Sequence, residues 1–62
     1  MSDRMKDVLR VAYSELTQVQ LRLKMVRFLL NNGSKVDERE LDKLLERFSN
    51  LKKLIEELEK QL

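Results

Sequence analysis

The chain contains no cysteine, histidine, proline or tryptophan, and only one of its 62 residues is glycine. Without cysteine it can form no disulfide, and without cysteine or histidine the ordinary zinc and haem sites are excluded. The hydroxyl groups of serine, threonine and tyrosine also lack an imidazole base that would activate them as nucleophiles. We therefore expect neither catalytic activity nor a bound cofactor.

Acidic side chains recur at helical spacing at Glu38, Asp42 and Glu46, and carboxylates of this kind are ligands for hard cations. A solvated acidic face explains them better, because the positive end of a helix dipole favours negative charge near the N-terminus. We therefore expect no metal site.

The chain is small and its charge is nearly balanced. Thirteen basic and eleven acidic residues give a net charge of +2, which is too small to imply a nucleic-acid partner on its own. A domain of this size has little core, and without disulfides or metals oligomerisation is the remaining way to stabilise it. Uninterrupted apolar runs do not exceed three residues, so we expect no membrane partner and no secretory signal. Together with the absence of cysteine, this favours a cytoplasmic protein.

The helix signals predict an all-α chain, with one antiparallel two-helix hairpin over residues 1–62. Ser2 is a suitable N-cap for a first helix over about residues 3–32. Gly33 is a typical helix stop, because glycine accepts the left-handed conformation that ends a helix. The turn then covers residues 33–36.

A second helix is predicted over about residues 37–62. Asp37 and Glu40 form a capping-box-like pair at its start, while Val36 and Leu41 have the spacing of a hydrophobic staple. Both features favour a fresh helix start after the turn over one continuous helix.

Each helix carries an apolar stripe with the alternating three- and four-residue steps of a coiled coil. On helix 1 this inner stripe comprises Met5, Leu9, Ala12, Leu16, Val19, Leu23, Val26 and Leu30. On helix 2 it comprises Leu41, Leu44, Phe48, Leu51, Ile55, Leu58 and Leu62. A short connection makes the helices antiparallel. We expect the pairs Leu30–Leu41, Leu23–Phe48, Leu16–Ile55 and Leu9–Leu62, with the two middle pairs at the centre of the core.

Opposite charges favour the hairpin as well, since basic segments of helix 1 would lie beside acidic segments of helix 2. Near the turn these are Arg22, Lys24 and Arg27 beside Asp37, Glu38, Glu40 and Asp42. At the other end they are Arg4, Lys6 and Arg10 beside Glu56, Glu57 and Glu59.

Helix 1 has a second stripe on its opposite side, which we call the outer stripe. It comprises Val11, Ser14, Gln18, Leu21, Met25 and Phe28, of which four are apolar. A water-soluble helix that is apolar on two sides must bury both. We therefore expect two hairpins to form a four-helix bundle, with a partner-binding surface made of Val11, Gln18, Leu21, Met25, Phe28 and Leu29.

The partner is a second copy of the chain, a larger protein, or both, and the sequence does not separate these possibilities. In each case the interpretation is a non-catalytic protein–protein interaction module, such as an adaptor, a co-chaperone or an accessory subunit of a larger complex.

The alternative is a small nucleic-acid-binding regulator. Some RNA-binding proteins are four-helix bundles built from two hairpins, and the chain resembles them in architecture only. Its contact residues would be Arg10, Arg22, Lys24, Arg27 and Arg47. We favour it less, because facing acidic residues would neutralise the basic cluster and an apolar outer stripe does not suit phosphate. A membrane-surface helix over residues 21–30 is less favoured still, since that segment has no tryptophan and no single polar face.

Overall fold

The computed structural model describes residues 3–61 and confirms the helical hairpin. Helix α1 spans Asp3–Asn31 and helix α2 spans Glu38–Lys60. The two helices pack side by side in a rod of 47 × 15 × 13 Å. No helix in the described part of the chain is long and apolar enough to cross a membrane. The expected N-cap Ser2 and the last residue of the helix 2 stripe, Leu62, lie outside the described residues.

Helix α1 ends in a Schellman motif, in which glycine adopts a left-handed conformation after the last helical turn. Gly33 has φ of 77°. Its amide donates to the carbonyl of Leu30 at 3.1 Å, and the next amide, of Ser34, donates to Leu29 at 2.9 Å. The side chain of Asn32 also donates to the carbonyl of Phe28 at 2.8 Å. The Gly33 bond satisfies the carbonyl of Leu30. The other two add second donors to the carbonyls of Leu29 and Phe28, which also accept from the amide of Asn32.

Asp37 is the N-cap of α2, as its position in the sequence predicts. Its carboxylate accepts a hydrogen bond of 2.9 Å from the amide of Arg39, two residues into the helix. Within residues 3–61 the reciprocal bond from Glu40 that would complete a capping box is not formed. Val36 and Leu41, the expected staple, are both half-buried.

The core is small and lies in the half of the hairpin away from the turn. Its buried residues are Leu9, Ala12, Val19, Leu51 and Ile55. Leu9, Ala12 and Ile55 form one cluster, against which Leu16 and Leu58 pack. The core is therefore concentrated towards the open end of the hairpin, which we define as the end opposite the turn.

Two contacts join the helices at their edges. On the first edge, the hydroxyl of Tyr13 donates a hydrogen bond of 2.5 Å to Glu59. On the second, a guanidinium nitrogen of Arg47 lies 3.5 Å from a carboxylate oxygen of Glu15. We call these the Tyr13 edge and the Glu15 edge.

The two edge contacts together define the register, which is the alignment of residues of α1 with residues of α2. Ala12 lies opposite Ile55 and Leu9 opposite Leu58, in agreement with the buried cluster. The expected register is offset from it by about one helical turn. The register expected from the sequence pairs Leu16 with Ile55, Leu23 with Phe48, Leu30 with Leu41 and Leu9 with Leu62. The last of these pairs includes Leu62, which lies outside the described residues.

The offset changes which residues form the core. Ile55 is buried as expected, but Leu16, Leu23 and Phe48 are only half-buried. Leu30 was expected to pack on helix 2, but 51% of it is exposed. In the observed register Leu30 lies level with the start of α2, so no apolar residue of that helix faces it.

Candidate functional site

The apolar residues of the outer stripe are the most exposed large hydrophobic side chains in the described part of the chain. Val11 is 57% exposed, Leu21 60%, and Met25 and Phe28 65% each. The polar member Gln18 is exposed as well, and Leu29, at the margin of the stripe, is 36% exposed. The hairpin therefore leaves uncovered the face that the sequence assigns to a partner.

The outer stripe has the same spacing as the inner one. Val11, Gln18 and Met25 are seven residues apart, and so are Ser14, Leu21 and Phe28. Such alternating steps keep both rows on one side of a supercoiled helix. The stripe therefore has the pattern of a second coiled-coil seam, which α2 does not cover.

A shallow apolar groove lies between the two helices near the open end. Its volume is about 390 Å³, and it is lined mainly by Val8, Val11, Ala12, Leu51 and Leu54. Val11 therefore belongs both to the outer stripe and to this groove. The groove joins the stripe of α1 to an exposed apolar residue of α2.

The partner-binding surface expected from the sequence does not include Val8 and Leu54, which line this groove. Val8 stands seven residues before Glu15 and Leu54 seven residues after Arg47, so both continue the Glu15 edge towards the open end. The seven-residue spacing was a signal for their location. Their contribution to a shared groove, however, depends on the register of the helices.

The middle of the Glu15 edge is polar. Beyond the pair of Glu15 with Arg47, a neighbouring depression is lined in part by Arg22 and Glu40. Arg22 nevertheless forms no ion pair within residues 3–61, so it retains an unneutralised charge beside the apolar stripe.

The expected charge matching between the helices is not seen as ion pairs. The ion pairs among the described residues are Arg10–Asp7 at 2.6 Å and Lys60–Glu57 at 3.3 Å, both within one helix, and Arg47–Glu15. Lys24 and Arg27 belong to none of them. The acidic start of α2 caps its own helix instead, through Asp37.

The structure does not collect the predicted nucleic-acid contacts into one strip. Arg22 and Lys24 are two residues apart on a helix, so they point in nearly opposite directions, about 160° apart. Arg10 and Arg27 are separated by about 25 Å along α1, at 1.5 Å per residue. Arg10 and Arg47 are already engaged in ion pairs.

Reactive and metal-binding groups are sparse in the described part of the chain. Residues 3–61 contain no group of three acidic side chains placed to hold a metal ion, and Glu38, Asp42 and Glu46 are exposed. Tyr13 has a pKa above the ordinary value of a phenol. Its hydrogen bond to Glu59, with smaller effects of desolvation and the carboxylate charge, raises the pKa of this phenol.

No protein-family model, curated protein or solved structure matches this chain.

Proposed function

We propose that this chain is a non-catalytic protein–protein interaction module that acts in the cytoplasm through the outer stripe of α1. We further propose that it associates with a second copy to form an antiparallel four-helix bundle, and that this assembly serves as an adaptor, co-chaperone or accessory subunit. The observation that carries the proposal is the exposure of Val11, Leu21, Met25 and Phe28 in a single hairpin.

The energetic argument concerns the apolar area that remains in water. Burying one leucine, methionine or phenylalanine side chain contributes about 1.5–3 kcal/mol. Leu21, Met25 and Phe28 are each exposed over more than half of their surface. An association that covers these side chains gains part of the free energy of their burial. In the isolated hairpin they stay exposed to water, so this stabilisation is absent.

The total surface area supports the same proposal. The chain exposes 5388 Å², whereas a folded monomer of 7.5 kDa is expected to expose about 4,250 Å². The excess, about 1,100 Å² by that scaling, is comparable to the area of about 800 Å² that each partner buries in a standard protein interface. A two-helix rod therefore has enough surplus surface for a stable partner.

Light scattering on the unmodified chain tests self-association. We expect a mass of twice the chain's 7.5 kDa, and a lower mass for the double variant Leu21→Lys, Phe28→Lys. The matched control is Leu45→Lys, because Leu45 is an exposed leucine on α2 at heptad spacing from Glu59, on the Tyr13 edge.

Two results would contradict the proposal in different ways. If the double variant Leu21→Lys, Phe28→Lys keeps the mass of the unmodified chain, as the control does, the outer stripe is not the contact surface. If the unmodified chain is a folded monomer at every concentration, there is no homodimer. In that case only a foreign protein remains to cover the stripe, and a pull-down from the native cell, with the double variant as control, tests for it.

A nucleic-acid-binding regulator remains the second candidate because of one observation. Arg22, Lys24 and Arg27 form no ion pairs within residues 3–61, so the neutralisation expected from the start of α2 is missing. Lys24 and Arg27 share one side of α1, but Arg22 points away from both, which argues against one phosphate surface made of all three.

A further inference from the structure

The groove at the open end and the apolar side chains near the turn are complementary features of the same chain. The groove is lined by Val8, Val11 and Leu54, and Phe28 lies about 25 Å from Val11 along α1. Phe28 is 65% exposed, so its ring projects from the hairpin. A surface with a receiving site at one end and a projecting ring at the other is complementary to itself when one copy is reversed.

We propose that two copies pack α1 against α1 antiparallel about a twofold axis, so that Phe28 of each copy enters the Val8–Val11–Leu54 groove of the other. This geometry rests on the self-association proposed above and specifies its orientation and its contacts. It assigns Leu54 of α2 to the interface, together with the outer stripe of α1.

Side-chain size supports the antiparallel orientation. Pairing the two rows of the outer stripe in this way places Val11 opposite Phe28, Ser14 opposite Met25, and Gln18 opposite Leu21. Each layer then joins a smaller or polar side chain to a large apolar one. The large residues all come from the half of the stripe near the turn, and the others come from the open half.

A parallel arrangement lacks this complementarity. It would set Phe28 against Phe28 and Met25 against Met25 at one end, and Ser14 against Ser14 at the other. Well-packed interfaces interdigitate large and small side chains, as protein interiors do.

Charge favours the antiparallel orientation too. Arg22, which has no ion-pair partner in the described hairpin, comes beside Glu15 of the other copy. Twofold symmetry repeats this contact, so two opposite-charge pairs flank the axis. A parallel pairing would instead bring Glu15 beside Arg10 of the other copy and Arg22 beside Thr17, so Arg22 would gain no opposite charge.

Cysteine cross-linking tests this geometry, since the chain has no native cysteine. Val11→Cys and Phe28→Cys are prepared as single variants, and each is oxidised alone and in an equimolar mixture. We expect at least about tenfold more disulfide-linked dimer in the mixture than in either variant alone, because a disulfide requires Cα atoms within about 7 Å. The antiparallel layers bring position 11 close to position 28, but keep each position far from its own copy.

A charge placed in the groove gives an independent readout. Leu54→Lys should lower the dimer fraction measured by light scattering, whereas Leu45→Lys on the Tyr13 edge should leave it unchanged. Both leucines are exposed on α2 to a similar extent, so both variants are expected to keep the hairpin.

The outcomes separate this geometry from self-association itself. Self-linking of each single variant would show parallel packing, and a dimeric mass without cross-linking in the mixture would show that another face is used. Either result overturns the antiparallel geometry and leaves self-association standing. A monomeric mass for the unmodified chain overturns both. Loss of the dimer with Leu45→Lys but not with Leu54→Lys would place the contact on the Tyr13 edge and also overturn the geometry.

Discussion

The hydroxyl of Tyr13 donates a hydrogen bond of 2.5 Å to Glu59, and this bond joins the first half of α1 to the end of α2. The two residues are 46 positions apart in the sequence. The bond fixes one edge of the hairpin, while the pair of Glu15 with Arg47 fixes the other.

Titration of Tyr13 is expected to report this contact. The hydrogen bond to Glu59, partial desolvation and the carboxylate charge raise the pKa of the phenol above its ordinary value. Since the folded-state pKa is the higher one, this contribution to stability is complete below about pH 10 and is lost as the pH rises through the folded-state pKa.

The chain has one tyrosine, so ultraviolet absorbance follows the ionisation of this residue without interference. Glu59→Ala should return the midpoint towards the ordinary pKa of tyrosine. An ordinary midpoint in the unmodified chain would mean that the bond does not form in solution.

Truncation of Ile55 should destabilise the hairpin more than truncation of Phe48. Ile55 is buried in the central cluster, and Ile→Ala in a core costs about 2–5 kcal/mol. Phe48 is half-buried, and the ammonium of Lys52 lies 5.6 Å from the centre of its ring. Urea denaturation at one fixed protein concentration compares Ile55→Ala with Phe48→Ala, and a larger loss for Phe48→Ala would restore the register expected from the sequence.

Replacing Gly33 should weaken the turn through backbone conformation alone. Its φ of 77° disfavours other residues, while a Cβ added there meets nothing within 4 Å. We expect Gly33→Ala to cost about 1–2 kcal/mol, and Gly33→Asn less, because asparagine tolerates the left-handed region better. Thermal melting of the two variants against the parent measures this, and an unchanged midpoint for Gly33→Ala would indicate a different turn in solution.

Binding to RNA or DNA should be weak and should fall steeply with salt. Arg22 points away from Lys24 and Arg27 around α1, and apolar Leu21, Met25 and Phe28 lie among these basic residues. Fluorescence anisotropy at several salt concentrations measures the affinity, with Lys24→Gln, Arg27→Gln as the charge-removal control. Binding tighter than about 1 μM at physiological salt, weakened by that control, would favour the nucleic-acid reading over the adaptor.

The sequence by itself determined the hairpin, because the signals that define it are local. Gly33 readily takes a positive φ, and Asp37 supplies the acceptor for one free amide at the start of α2, that of Arg39. The outer stripe was also readable, since the seven-residue spacing of Val11, Gln18 and Met25 fixes their side of the helix whatever α1 packs against.

Only the tertiary structure decided the register and what depends on it. Sliding one helix by about a turn still sets apolar residues against apolar residues, so the heptad pattern alone allows several pairings. Packing of Ala12 against Ile55, with contacts at both edges, selects one of them. The groove shared by Val8 and Leu54 follows from that choice, because two residues so far apart in the chain line one surface only after the helices have docked.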